Sequence, residues 1–184
     1  PFDEPNVQQA KDATRQLLDG YRTARQLPIP EPHGSIHGAR LTVSHAAQEA
    51  LQGNPAEMFL TVVRPSDYIG LLAYLPPDTD TFDGPLEELR TALGTQTGCA
   101  TMFGYGPRYL HSTGQLHKGG ANNGVFIVIT AAVNDDLPIP GEPFSLGVLE
   151  MPQAVGDFQS LDRTGRRALH VHLPSRDVAV LRSV

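Results

Sequence analysis

The chain predicts an α/β (α+β) fold: a mixed β-sheet with packed helices, a split βαβ-like core and a long N-terminal helix. Three observations carry this. "DYIGLLAYL" and "GVFIVIT" are unbroken apolar runs of strand length, the pattern of strands covered on both faces. "GPLEELRTALG" and "PQAVGDFQSLDRT" show helical spacing of apolar residues. From Asp67 onward the order is strand, helix, strand, strand, helix, strand, which builds a sheet with helices on it.

Taken in order, "FDEPNVQQAKDATRQLLDGY" starts as a helix, with Asp3 as N-cap, Glu4 beside it and Pro5 in the first turn. Val7, Ala10, Thr14, Leu17 and Tyr21 repeat at steps of three and four, so one face of a helix over residues 4–25 is apolar. "LPIPEPHGS" interrupts it, and residues 27–35 read as a Pro-rich linker and a domain boundary. "SIHGARLTV" predicts a strand. "SHAAQEALQG" predicts a short helix capped by Ser44 and stopped at Gly53. In "NPAEMFLTVVR", Asn54, Pro55 and Glu57 form a capping-box pattern at the start of another helix.

"GPLEELRTALG" should turn Leu86, Leu89 and Leu93 inward, with Gly94 just past its end. "CATMFGYG" and "GVFIVIT" are strands. The Pro-rich "DDLPIPGEPF" leads to a helix over "PQAVGDFQSLDRT" whose start is drawn toward Ser145 but opposed by Pro152. Gly165 ends it, and "RRALHVHL" is the last strand.

With 184 residues, 40% apolar and 18% charged, the composition is that of a globular domain able to bury a core. No run reaches the ~18 apolar residues of a membrane span. The opening residues lack a secretory pattern. The lone Cys99 excludes an internal disulfide, and the expected setting is the cytoplasm. A net charge of −6 argues against a nucleic-acid surface. The chain opens without a Met and directly on a helix start, which suggests the tail of a longer protein.

The chemistry gathers in "GYGPRYLHSTGQLHKGG". Its glycines and Pro107 allow tight turns with free backbone N–H groups. Arg108 and Lys118 suit carboxylate or phosphate oxygens, His111 and His117 can donate or exchange protons, and Ser112, Thr113 and Gln115 add neutral donors. This is either an anion site or a polar connection between strands. It has neither the Walker spacing nor a Rossmann fingerprint.

Elsewhere the signals are weak. His170 and His172 share one strand face, either half of a metal site or the solvent side of an edge strand, the second being the commoner case. His33, His37 and His45 have no partner spacing, and Asp135–Asp136 read as a solvated loop. Cys99 has no neighbouring cation to activate it. Lys11, by composition, is a solvating lysine on a helix surface. No metal or cofactor is expected.

Two motifs add a resemblance. "PFDEPNVQQAK" resembles a segment late in phosphoglucose isomerases, where an Asn-Pro-Phe-Asp-Gln-Pro-like run opens a helix whose lysine points into the sugar-phosphate site. Lys11 matches that lysine. "FGYGPRYLHSTGQLHKGG", then "DLPIPGEPF", "QAVGDFQSL" and "GRRALHVHL", is similar in order to the C-terminal extension of bifunctional transaldolase/phosphoglucose isomerases.

The resemblance spans nearly the whole chain and is weakest between Leu27 and Glu57. It implies that residues 1–26 belong to an upstream sugar-isomerase domain, and that 36–184 form a C-terminal α/β extension. The implied parent interconverts glucose 6-phosphate and fructose 6-phosphate in carbohydrate metabolism. Its glutamate base, histidine and phosphate loop, and the Schiff-base lysine of a fused transaldolase, would all lie upstream. Lys11 is implied as the one catalytic residue here, assisting ring opening electrostatically; the fragment alone is expected to be inactive. The implied partners are a sugar phosphate or phosphate anion, the upstream isomerase and transaldolase domains, and a possible second copy of the chain. The alternative is a non-catalytic packing or oligomerisation module. The anion reading requires at least three of Arg108, His111, His117 and Lys118 to converge on one concave surface.

Overall fold

A computed structural model of the chain describes residues 12, 15–22, 31–77, 81–133 and 136–183. Six strands form one mixed sheet: β1 (Gly34–Ile36), β2 (Ala39–Val43), β3 (Tyr68–Tyr74), β4 (Ala100–Tyr105), β5 (Gly124–Ala131) and β6 (Arg167–Leu173). The strand order is β1-β2-β6-β5-β3-β4. β3, β4, β5 and β6 run parallel, while β2 is antiparallel to β6 and to β1. Helix α1 covers residues 12 and 15–22 of those described. It is followed by α2 (His45–Leu51), α3 (Asp83–Thr97), α4 (Gly114–Gly119), α5 (Leu146–Arg163) and α6 (Val178–Ser183).

The mixed sheet with packed helices is the architecture expected from the apolar runs. β4 and β5 flank β3, so the connection carrying α4 passes over β3 and the unit β4–α4–β5 is split by a strand. Alternation along each strand divides the core in two. Ile69, Leu71, Val125, Ile127, Leu169 and Val171 face the layer that contains α2, α3 and α6. Leu72, Tyr74, Phe126, Val128 and Ala168 face α5, with Tyr109 and Phe158. After β3 the chain turns to α3 on the first face, and after β5 it turns to α5 on the second. The C-terminal ends of β3 and β5 therefore bound a topological switch point, where open α/β sheets form crevices.

Several local details differ from expectation. "SIHGARLTV" is a hairpin: His37 and Gly38 take φ of 46° and 85°, the two positive values of a two-residue turn, and Ile36 pairs with Ala39. Ala56–Val62 forms a 3₁₀ segment, not an α-helix. Asn54 directs its side chain to the Leu51 carbonyl (2.8 Å), and Glu57 accepts from the Ser35 N–H (3.0 Å), so the capping box never closes. α3 runs through Gly94 to a left-handed cap at Gly98, φ 68°.

α5 begins at Ser145, whose hydroxyl accepts from the Val148 N–H, and it continues through Pro152. Ser44 caps α2 as expected. β6 lies between β2 and β5, so it is no edge strand. His170 and His172 are buried, both 2.8 Å from the Thr130 hydroxyl.

Lys11 and residues 27–30 of the expected linker lie outside the described residues, while Gly34 and Ser35 already belong to β1. Leu17 of α1 is buried but belongs to neither core cluster. Arg22 reaches Glu142 (3.1 Å) and lies over the Phe144 ring.

Candidate functional site around His117 and Lys118

The glycine-rich stretch leaves β4, makes a 3₁₀ turn at Arg108–His111 and enters α4. A short helix here turns successive residues in different directions, and that separates the expected anion ligands. Arg108, His111 and Ser112 are exposed; the Arg108 guanidinium lies 5.9 Å from the Tyr105 ring centroid. Thr113 and Gln115 are half-buried, and Thr113 stands at the N-cap of α4 without a side-chain capping bond. His117 and Lys118 are buried. The four cationic candidates therefore do not converge: two point inward and two outward.

The inward pair is built into the second core. The Lys118 ammonium contacts the Asp157 carboxylate of α5, and both side chains are fully buried. Tyr74 donates to the other oxygen of Asp157 at 3.3 Å. His117 Nδ1 lies 3.0 Å from the Tyr68 hydroxyl, and its ring packs against Phe126 (centroids 5.0 Å) and Tyr109 (5.9 Å). Arg166 then holds the end of α4: its guanidinium donates to the carbonyls of Lys118 and Gly120 (2.7 Å each) and of Ala121 (2.8 Å). Those carbonyls end the helix without intrahelical partners, so a fixed cation there satisfies them and its dipole.

Burial dominates the electrostatics. It pushes Asp157 up to about 8, against the Tyr74 hydrogen bond, and pushes Lys118 down to about 8, with Arg163 adding to the fall. The direct contact between them opposes both shifts, because each charge favours the other. His117 is lowered to about 4 by burial, then by Lys118 and Arg166, so it is neutral at pH 7. Burial and the Asp157 charge raise Tyr74 well above its ordinary value.

Lys118 is thus already paired with a carboxylate and cannot reach an anion from solvent. Sequence reasoning misses Asp157, Tyr74, Tyr68 and Arg166. A signal for the first exists, since Asp157 sits between Val155 and Phe158 within an apolar helical stretch, where a charge is almost never buried unless paired. Among the described residues no group of three or more His, Cys, Asp or Glu is arranged to hold a metal, and no helix is long and apolar enough to cross a membrane.

No family model matches the chain, and no curated protein matches it. Among solved structures, the chain is similar to the crystal structure of a hypothetical protein from Thermus thermophilus. The TM-score is 0.55 and the sequence identity 16%, over 74% of this chain. That likeness is one of fold. The chain spans 40% of the length of that structure.

Proposed function

We propose that the chain is the C-terminal portion of a glucose-6-phosphate isomerase, probed best as part of a parent protein that also carries transaldolase. The ordered run of motifs from "PFDEPNVQQAK" to "GRRALHVHL" carries the reading. In it Lys11 supplies positive charge near the reacting carbons, and the upstream domains supply the base and the phosphate loop. The substrate is a sugar phosphate and the setting cytoplasmic.

Within that parent, residues 36–184 act as a packing module. The inward burial of His117 and Lys118 favours this second reading over an anion site, because it turns the most cationic part of the glycine-rich stretch into core. Arg108, His111 and Ser112 are the members of the set placed to meet an anion from outside. A coupled isomerase assay on the 184-residue chain should show no turnover above blank, and turnover at a normal enzymatic rate overturns the reading. In the parent, an unchanged KM in Arg108→Ala and His111→Ala supports packing, and a raised KM supports an anion role.

A further inference from the structure

We infer that the switch point of the sheet holds a second binding site, for a neutral polyhydroxylated small molecule. The inference does not rest on the isomerase reading. A crevice of about 330 Å³ opens where the parallel strands end, at the lower limit of the roughly 300–1,000 Å³ usual for small-molecule sites. Pro76 follows β3 there, Pro107 follows β4, Val133 follows β5 and Arg176 follows β6. The first two turns of α5 close the remaining side. The crevice therefore lies beyond the carboxyl ends of all four parallel strands, on the side of the sheet where the switch-point rule places ligands.

The lining selects the ligand class. Asp136, Glu150, Gln153 and Arg176 are its polar groups, set among prolines, leucines and Val133. The N-terminus of α5, which would otherwise attract an anion, is taken by the chain's own carboxylate. Asp136 accepts from the Gly147 N–H at 2.8 Å and from the Ser145 hydroxyl. Burial would raise Asp136, but these bonds and those from the Leu137 and Val148 N–H groups outweigh it and keep the carboxylate charged.

A phosphate would have to lie beside that charge and beside Glu150. A hard divalent cation, which takes about six oxygen ligands, would face the Arg176 guanidinium, held on Glu150 at 2.6 Å. What remains is a ligand whose hydroxyls donate to the Glu150 carboxylate and accept from Arg176 and Gln153. The Arg176 side chain is partly exposed and lines the crevice, so the part of its guanidinium left open beside Glu150 can donate to a ligand oxygen. The proline and leucine walls suit the C–H faces of a sugar ring.

Glucose, adenosine and inorganic phosphate are the probes, read by saturation-transfer NMR and calorimetry on the 184-residue chain. Saturable binding of glucose or adenosine is expected, with phosphate failing to compete. Glucose alone identifies a hexose ring, and adenosine alone identifies a ribose diol. Glu150→Ala and Gln153→Trp, checked for folding by circular dichroism, should each weaken binding by about tenfold or more, the worth of a hydrogen bond to a charged group or of the lost space. Absence of saturation by both compounds, displacement by phosphate, or wild-type affinity in both variants overturns the assignment.

Discussion

Replacing Lys118 with methionine keeps most of the side-chain volume and removes the charge that faces Asp157. Both groups are fully buried, so nothing from solvent replaces the ammonium. Breaking a buried pair from one side costs about 3–5 kcal/mol. A second route gives a similar figure. In the parent sequence the contact with Lys118 holds the Asp157 carboxylate charged; with the ammonium gone nothing opposes the burial that pushes the group up, so the orphaned carboxyl is protonated in the folded chain. Protonating a carboxyl of ordinary pKa near 3.9 costs about 4 kcal/mol at pH 7 and about 1.5 kcal/mol at pH 5.

The sign follows from linkage. A carboxyl raised on folding contributes stability below its unfolded pKa and loses it as pH rises, so the variant should be least impaired in mild acid. For a chain of this size the loss near pH 7 corresponds to a fall of roughly 6–20 °C in Tm. Urea unfolding at both pH values measures it. The double variant Lys118→Met/Asp157→Leu should recover most of the loss, because a buried pair exchanged for apolar groups is often neutral. A single variant as stable as the parent sequence, or a loss independent of pH, refutes the reasoning that this lysine belongs to the core.

His170 is lowered to about 3 by burial, then by His172 and Arg40, so only the unfolded chain takes up its proton as pH falls below about 6.5. Stability should fall with acidification, by up to about 1.4 kcal/mol per pH unit for this group, and urea titrations of His170→Asn should show a shallower acid limb. Gly106 approaches the Tyr74 ring so closely that an added Cβ would lie 2.4 Å from Cζ, whereas Gly84 in α3 has open space. Gly106→Ala should cost about 1–3 kcal/mol by overpacking, while Gly84→Ala should be neutral or slightly stabilising, both read from urea midpoints.

How far the fold is legible depends on where the information lies. The unbroken apolar runs of β3 and β5 identify strands covered on both faces without reference to anything distant. Ser44 and Ser145 cap helices through their own backbone neighbours. The hairpin at His37–Gly38 escapes the sequence because its histidine adopts a positive φ that residue type alone does not announce. The 3₁₀ segment at Ala56–Val62 escapes it because Asn54 and Glu57 find other partners, one of them twenty-two residues away in sequence.

The candidate site shows the same divide. Arg108, His111, His117 and Lys118 are adjacent enough to suggest a single surface. The inward turn of His117 and Lys118, however, is decided by Tyr68 on β3 and Asp157 on α5, and Arg166 holds the end of their helix, all far away in sequence. β6 likewise reads as an edge strand until the hairpin β1–β2 is known to cover it.

On the proposed function, this chain completes an isomerase through Lys11 while residues 36–184 contribute packing. The most direct measurement is kcat for isomerisation of fructose 6-phosphate by the full parent protein carrying Lys11→Ala, beside its Tm. The account predicts a fall in kcat of about 10²–10³, the usual worth of one group stabilising developing charge, with Tm unchanged. Wild-type kcat in Lys11→Ala would contradict it.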